Sequence, residues 1–313
     1  MNTMTTSDNA KATRLSGWLV LDKPAGLTST QALNRVKAKL RVRKMGHGGT
    51  LDPLASGLLP LALGEATKTV GYIMEGLKSY RFTVRWGIAR TTDDGEGEIT
   101  EESAARPSRE AIEAAIPQFL GEIQQTPPTY SAIKVDGRRA YDIAREGGDP
   151  QLEPRPVHLE SLDLVSIDDR DHATFVCTCG KGFYVRALAR DLGETLGTPA
   201  HLSALRRTRV GAFDSEEMIP LDALEAMDDP QALQHYLLPV ETALADIPAL
   251  ALTEAEANRL RSGQSVSLLK RANLERLREL ENGDVVCAKV QGRAVALARF
   301  EAGAIRPVRI LHV

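Results

Sequence analysis

The sequence predicts an α+β fold: a mixed, largely antiparallel sheet with flanking helices, followed by a small mostly-β module at the C-terminus. Three observations carry this. A cleanly alternating segment at Ser79–Arg90 reads as a half-buried strand. Capping-box patterns at Thr28–Gln31 and Thr253–Glu256 open helices. After Pro248, short β runs separated by glycine turns replace the longer mixed pattern. The chain has 313 residues, 42% hydrophobic and 26% charged, which are ordinary values for a globular protein. That length accommodates one large domain and a small one, or two equal ones.

In chain order, residues 1–16 are polar and predict a disordered N-terminus without the apolar core of a signal peptide. Gly17–Asp22 predicts a buried strand, and the turn after it leads to a helix placing Leu33, Val36 and Leu40 on one face. A glycine-rich loop, Gly46–Gly57, precedes the apolar run Leu58–Leu63. In the alternating segment, Tyr80, Phe82, Val84, Trp86 and Ile88 share one face. The acidic stretch Asp93–Glu98 reads as a loop whose spacing does not match a calcium site. Ser108 caps a short helix ending near Pro117. Pro127 and Pro128 keep Thr126–Lys134 extended. Asp136-Gly137 marks a hairpin turn before another short helix. Strands follow around Leu162–Ile167 and Thr174–Cys179; the segment from Gly182 then passes from strand to helix, with Tyr184 and Arg186 alternating on the strand. Beyond residue 248, Asp284–Val290, Ala294–Phe300 and Val308–Val313 are the expected strands.

The net charge of −3 hides an uneven distribution. Seven Lys or Arg residues against one acid lie between Leu15 and His47, six of them within Arg35–Lys44. Lys181–Arg209 holds six basic and two acidic residues, whereas Asp214–Asp246 holds nine acids and no Lys or Arg. Local basic regions in a chain that is not basic overall suggest a polyanion partner. No apolar stretch reaches the roughly 18 residues of a membrane span. Three cysteines are too few for a disulfide scaffold and fit a reducing cytoplasm. Cys177 and Cys179 lack further ligands for zinc and read as core residues.

Within the glycine-rich loop, Asp52 sits between Leu51 and Pro53, where the proline can fix the direction of the carboxylate. A lone loop aspartate is more often a turn or cap residue. The surrounding segment, His47-x-Gly-Thr-Leu-Asp-Pro-Leu-Ala-x-Gly57, closely resembles the catalytic loop of the TruB-type tRNA pseudouridine synthases. Five further segments resemble that family's signatures in the family's order: Asp22-Lys-Pro-x-Gly-x-Thr-Ser29, Lys78-x-Tyr80, Pro128-Thr-Tyr-Ser-Ala-Ile-Lys134, Gly182-Phe-Tyr-Val-Arg186 and Leu205-Arg-Arg207. Other large pseudouridine synthase groups place an arginine shortly before the aspartate; here Thr50 and Leu51 precede it. Gly48 departs from the threonine frequent in relatives.

The resemblance implies isomerisation of uridine 55 in the tRNA T loop, with no cofactor and no metal, by a cytoplasmic monomer. It implies that Asp52 is catalytic, either as a nucleophile at C1′ or as a base removing the C2′ proton. Arg186 would pair with Asp52, Tyr80 would stack on the target base, and Tyr184 and Leu205 would line the uracil pocket. His47 would enter the space vacated by the flipped nucleotide. Lys23 would contact substrate, and Arg206 and Arg207 would meet phosphate. The Arg35–Lys44 segment would grip backbone phosphates. Residues 17–247 would form the catalytic domain and residues 248–313 a PUA-like RNA-binding domain. Two rival readings remain at this stage. One is an RNA-binding protein in which Asp52 is structural. The other is a nucleoside or glycoside hydrolase with a second acid, such as Asp93 or Glu96, about 5–10 Å from Asp52.

Overall fold

The structure, a computed structural model, describes residues 15–229, 232–268 and 280–312. Most of the expected polar N-terminus therefore lies outside the described residues; Leu15 packs on the core and Ser16 Oγ accepts from the Glu65 amide.

Eight strands form the main path of the large sheet: β1 (Gly17–Lys23), β2 (Ser56–Leu63), β3 (Lys78–Trp86), β4 (Gly121–Gln125), β5 (Arg155–Ile167), β6 (His172–Cys179), β7 (Ala200–Val210) and β8 (Ile219–Pro220). Their order is β8-β1-β2-β7-β3-β6-β5-β4; Met45–His47 adds to β2 and Leu237–Leu238 to β1. Only β1–β8 and β2–β7 run parallel along that path, so the sheet is mixed and largely antiparallel.

Helix α1 (Ser29–Leu40) begins at the predicted box: Thr28 Oγ1 accepts from the Gln31 amide while Gln31 Oε1 accepts from the Thr28 amide. It buries Leu33, Val36 and Leu40 against Leu19, Leu21, Leu59 and Leu61. Helix α2 (Val185–Thr195) buries Val185, Leu188 and Leu192 against Phe82, Phe175 and Leu202. Half-buried Tyr80 and Leu205 touch both of these cores. The site described below lies at this seam.

The predicted face of β3 is buried through Trp86, but Ile88 does not continue it. Gly87, at φ 85°, turns the chain, and Ile88–Arg90 pairs instead with Ile99–Glu102 in a separate hairpin. This turn folds the acidic loop back onto β7, where the Leu202 amide donates to the Asp93 carbonyl.

Beyond residue 248 a five-stranded sheet runs in the order Ala249–Ala251, Val285–Val290, Arg293–Glu301, Ala304–Ile310, Val266–Ser267. The third expected strand starts earlier than its sequence pattern suggested, because Ala304 already pairs with Glu301 across a tight turn. The capped helix Glu254–Arg261 buries Ala257 and Leu260 on one face of this sheet. The other face, through Leu297, Cys287 and Leu311, meets Leu244, Ile247 and Tyr72 of the preceding part.

Candidate active site

The loop ahead of β2 is held in place by buried donors. Arg207, nearly fully buried on β7, donates to the carbonyls of Leu58 (2.8 Å), Gly49 (3.1 Å) and Thr50 (3.4 Å). Ser29 Oγ accepts from the Leu51 amide at 2.8 Å and donates to its carbonyl at 3.0 Å. The Gly26 amide donates to the Pro53 carbonyl at 2.8 Å. Gly57 stands opposite Arg207 in the parallel β2–β7 pairing at φ 96°, where a Cβ would lie 2.2 Å from the Arg207 carbonyl oxygen. At Gly48 a Cβ would lie 2.9 Å from the Ile73 side chain, so the departure from threonine fits the packing here.

Two sequence expectations are corrected by this geometry. Arg207 spends its donors on the loop backbone and has no surface from which to reach a phosphate. Lys23, expected at the substrate, is also buried; its Nζ donates to the carbonyls of Pro24 and Leu27 at 2.9 and 2.7 Å and to Pro53 at 3.5 Å. A glycine-rich loop has many carbonyls and few side chains to satisfy them, so these cations serve the backbone. Burial pushes the Lys23 amine down to about 8, opposed by Asp52 and assisted by Arg207.

Asp52 emerges from this loop with its side chain 39% exposed, and its Oδ2 lies 3.0 Å from Nε of Arg186. Arg186 is itself 5% exposed; its Nη1 and Nη2 each donate at 3.0 Å, to the carbonyls of Thr92 and Tyr130. The Nε contact to Asp52 is an ion pair without an aligned hydrogen bond. Asp94, almost fully buried, places Oδ2 3.7 Å from the same Nε. Arg186 lies in the first turn of α2, not on a strand as the sequence suggested. Tyr184 is the extended residue just before the helix, and this bend carries both side chains to the cleft. The Gln125 amide fixes the bend: Oε1 accepts from the Tyr184 N–H at 2.9 Å, and Nε2 donates to the Tyr184 carbonyl at 3.2 Å.

Asp52, Tyr80, Tyr184, Arg186 and Leu205 thus line one cleft of about 710 Å³, together with Asp94. Burial pushes the Tyr80 hydroxyl up to about 12, against the pull of Arg207, and also raises that of Tyr184. The walls are largely aromatic and aliphatic, interrupted by the charged side chains of Asp52, Asp94, Glu96, Arg145 and Arg186. Such a chamber can retain a planar base while a carboxylate acts on its sugar. His47 lies outside these walls, on the short strand paired with β2; burial and Arg207 push its imidazole pKa down. Arg206 is half-exposed and forms a two-pronged pair with Asp22 at 2.8 and 2.9 Å.

Sequence reasoning weighed Asp93 and Glu96 only as the second acid of a hydrolase and missed Asp94; Asp94 and Glu96 line the cleft, whereas Asp93 does not. The acidic loop is part of the site: Asp93 pairs with Arg190 at 2.9 Å, and burial pushes its carboxyl up to about 6 against Arg190 and Arg186. The adjacent Thr92 and the glycines were visible, but the fold-back at Gly87 that brings them to β7 was not.

Comparison with known proteins defines the class. The profile for the N-terminal domain of TruB family pseudouridylate synthases matches residues 37–185, and that for the C-terminal domain of tRNA pseudouridylate synthase B matches residues 186–245. The chain is a pseudouridine synthase, an isomerase. It is 54% identical to tRNA pseudouridine synthase B of Bradyrhizobium diazoefficiens, covering 95% of this chain and 86% of that protein. Identity to the protein of the same description from Caulobacter vibrioides is 52%, covering 97% and 98%. Among solved structures, a Cbf5-Nop10-Gar1 complex contains a chain with TM-score 0.71 and 25% identity, covering 94% of this chain and 84% of that one. The chain belongs to the TruB family of pseudouridine synthases.

Proposed function

We propose that this enzyme converts uridine 55 in the T loop of tRNA to pseudouridine, with Asp52 as its catalytic carboxylate. The observation that carries the reading is the Asp52–Arg186 pair: a partly exposed carboxylate at a cleft wall, 3.0 Å from a buried guanidinium anchored on two carbonyls. The reading also draws on the relatives described as tRNA pseudouridine synthase B.

The reaction breaks the C1′–N1 bond, turns the uracil, and joins C1′ to C5. A proton leaves C5 and N1 gains one, so nothing is oxidised and no atom is lost. Arg186 keeps the carboxylate aimed into the cleft. Asp52 either attacks C1′ and is later displaced, or removes the C2′ proton and leaves a glycal for the uracil to re-enter. Tyr80 stacks on the extruded base, while Leu205 and Tyr184 close the chamber around it. His47 takes the place of the flipped nucleotide in the T loop.

Phosphates are held outside the cleft. Arg41, Arg43 and Lys44 are exposed beside α1, whereas Arg35 and Lys39 are partly engaged by the Glu225 side chain and carbonyl. Arg206, half-exposed and paired with Asp22 in a neighbouring cavity, meets phosphate. Residues 17–247 act as the catalytic domain and residues 248–313 as a PUA-like RNA-binding domain, in a cytoplasmic monomer.

Asp52→Asn tests the reading on tRNA carrying 5-tritiated uridine. Tritium release should be abolished, while tRNA affinity changes by less than about tenfold, roughly 1.4 kcal/mol. Measurable release by the variant would remove Asp52 from the chemistry. Carbodiimide mapping that places the wild-type product at another uridine would overturn the T-loop assignment.

A further inference from the structure

Arg190 lies one helical turn after Arg186 on α2, so the two side chains project from the same face of the helix. Both reach the same two segments of chain. Arg186 donates to the carbonyls of Thr92 and Tyr130. Arg190 donates through Nη1 to the Asp93 carboxylate at 2.9 Å and through Nη2 to the Thr126 carbonyl at 2.8 Å. Asp191 occupies its Nε at 2.9 Å. The segment around Thr92–Asp94 is thus tied to α2 twice, and so is the segment around Thr126–Tyr130.

The upper tie faces the cleft, and the lower one does not: Asp93 and Arg190 are absent from the residues lining it. Asp93 adopts a left-handed backbone at φ 58°, an unusual conformation for a residue other than glycine. Its side chain is 15% exposed and that of Arg190 22%. A buried ion pair of this kind is weak evidence for stability as such, and its attested value lies in fixing one arrangement over others. Here the arrangement fixed is the distance between two loops, each supplying one carbonyl to the Arg186 guanidinium.

We propose that Arg190 is a positioning residue for the isomerisation: by clamping Asp93 and the Thr126 carbonyl it sets the two carbonyls that hold Arg186, and so the direction from which Arg186 meets Asp52. The inference rests on the reading above that Arg186 aims Asp52. Arg190 touches neither substrate nor the reacting carboxylate. Its influence passes through Arg186 alone, which makes the effect conditional on that residue.

The test is a double-mutant cycle read in single-turnover tritium release at saturating tRNA, with tRNA affinity measured separately. Arg190→Lys keeps the charge and the stem, but one ammonium cannot reproduce the fork to a carboxylate and a carbonyl. Its turnover rate should fall about 10- to 100-fold, because small misplacements of a catalytic group cost that much. Its tRNA affinity should stay within about threefold of wild type, as phosphate contacts elsewhere set binding. In an Arg186→Lys background the same change should cause no further loss. If Arg190→Lys does not fold, Asp93→Asn, which is isosteric, is read in the same cycle. A wild-type rate for the folded variant overturns the proposal. So does a full additional loss in the Arg186→Lys background, since Arg190 would then act by another route. A wild-type rate for Arg186→Lys itself would instead overturn the assignment of Arg186.

Discussion

The two sheets of this molecule are built by different means. Among the described residues, every buried polar or charged side chain lies between Lys23 and Arg207; none lies in the five-stranded sheet beyond residue 248. That second sheet is held by aliphatic contacts such as Leu250, Val286, Leu297 and Ile305. In the large sheet and its flanking helices, Lys23, Ser29, Gln125, Arg186 and Arg207 are buried, and each pairs with the backbone of a loop or helix start at the cleft. Apolar packing is non-directional and tolerates small shifts, whereas a buried donor must meet its acceptor within a few tenths of an ångström. Buried polar side chains such as Lys78, Thr174 and His201 also lie away from the cleft, but those at the cleft hold its loops in one shape.

The largest expected effect follows from removing the main anchor of the catalytic loop. Arg207→Met leaves the carbonyls of Leu58, Gly49 and Thr50 without their donor. Each unsatisfied buried group costs about 1–3 kcal/mol, so a total loss of about 3–5 kcal/mol is expected in urea unfolding. The folded fraction should also turn over about 100-fold more slowly, because Asp52 loses its fixed direction. A variant with wild-type turnover and stability would show that the loop holds its shape unaided.

The matched change in the second sheet should separate the two quantities. Leu297 is fully buried against Leu244, Cys287 and Leu311. Leu297→Ala should cost about 2–4 kcal/mol, the usual range for a truncated core leucine. Single-turnover rate at saturating tRNA should remain that of wild type, since none of its neighbours lines the cleft. A fall in that rate would mean that packing in the second sheet does reach Asp52, and the contrast drawn here would fail.

The same contrast explains what could be read from the sequence. Local devices were legible because they depend on neighbours in the chain. The capping boxes at Thr28 and Thr253, the cap at Ser108, and the Asp136-Gly137 turn with φ values of 51° and 83° all formed as expected. The alternating face of Tyr80, Phe82, Val84 and Trp86 was legible too, and Phe82 stacks on Phe175 at 5.3 Å. Asp52, Tyr80, Tyr184, Arg186 and Leu205 came together as the resemblance implied. Buried cations were not legible. Lys23 and Arg207 carry the same charge as surface residues, and only the position of distant carbonyls decides that they face inward. The pairing of Asp93 with Arg190 and the approach of Asp94 to Arg186 were not legible in a turn-rich acidic loop, because both arginines lie far along the chain.

The smallest expected effect is the most specific test of a buried cation. The Lys23 amine has an ordinary value of 10.5 and is pushed down to about 8 by burial in the folded protein. Between these values the unfolded chain binds a proton that the folded chain has released. Stability from this group therefore rises as pH climbs from about 8 to 10.5, and is lost as pH falls through about 8. Lys23→Met removes this titration along with the donors to Pro24, Leu27 and Pro53. At pH 7 the variant should be less stable by about 1–3 kcal/mol, from the carbonyls left unpaired. That gap should widen between pH 8 and 10.5, because the neutral amine still donates while no longer carrying a buried charge. Every other titrating group is common to both proteins, so the difference between their urea midpoints at pH 7, 8.5 and 10 isolates Lys23. A gap that stays constant across these values would describe an amine with ordinary access to water, and would return Lys23 to the substrate-facing role first expected of it.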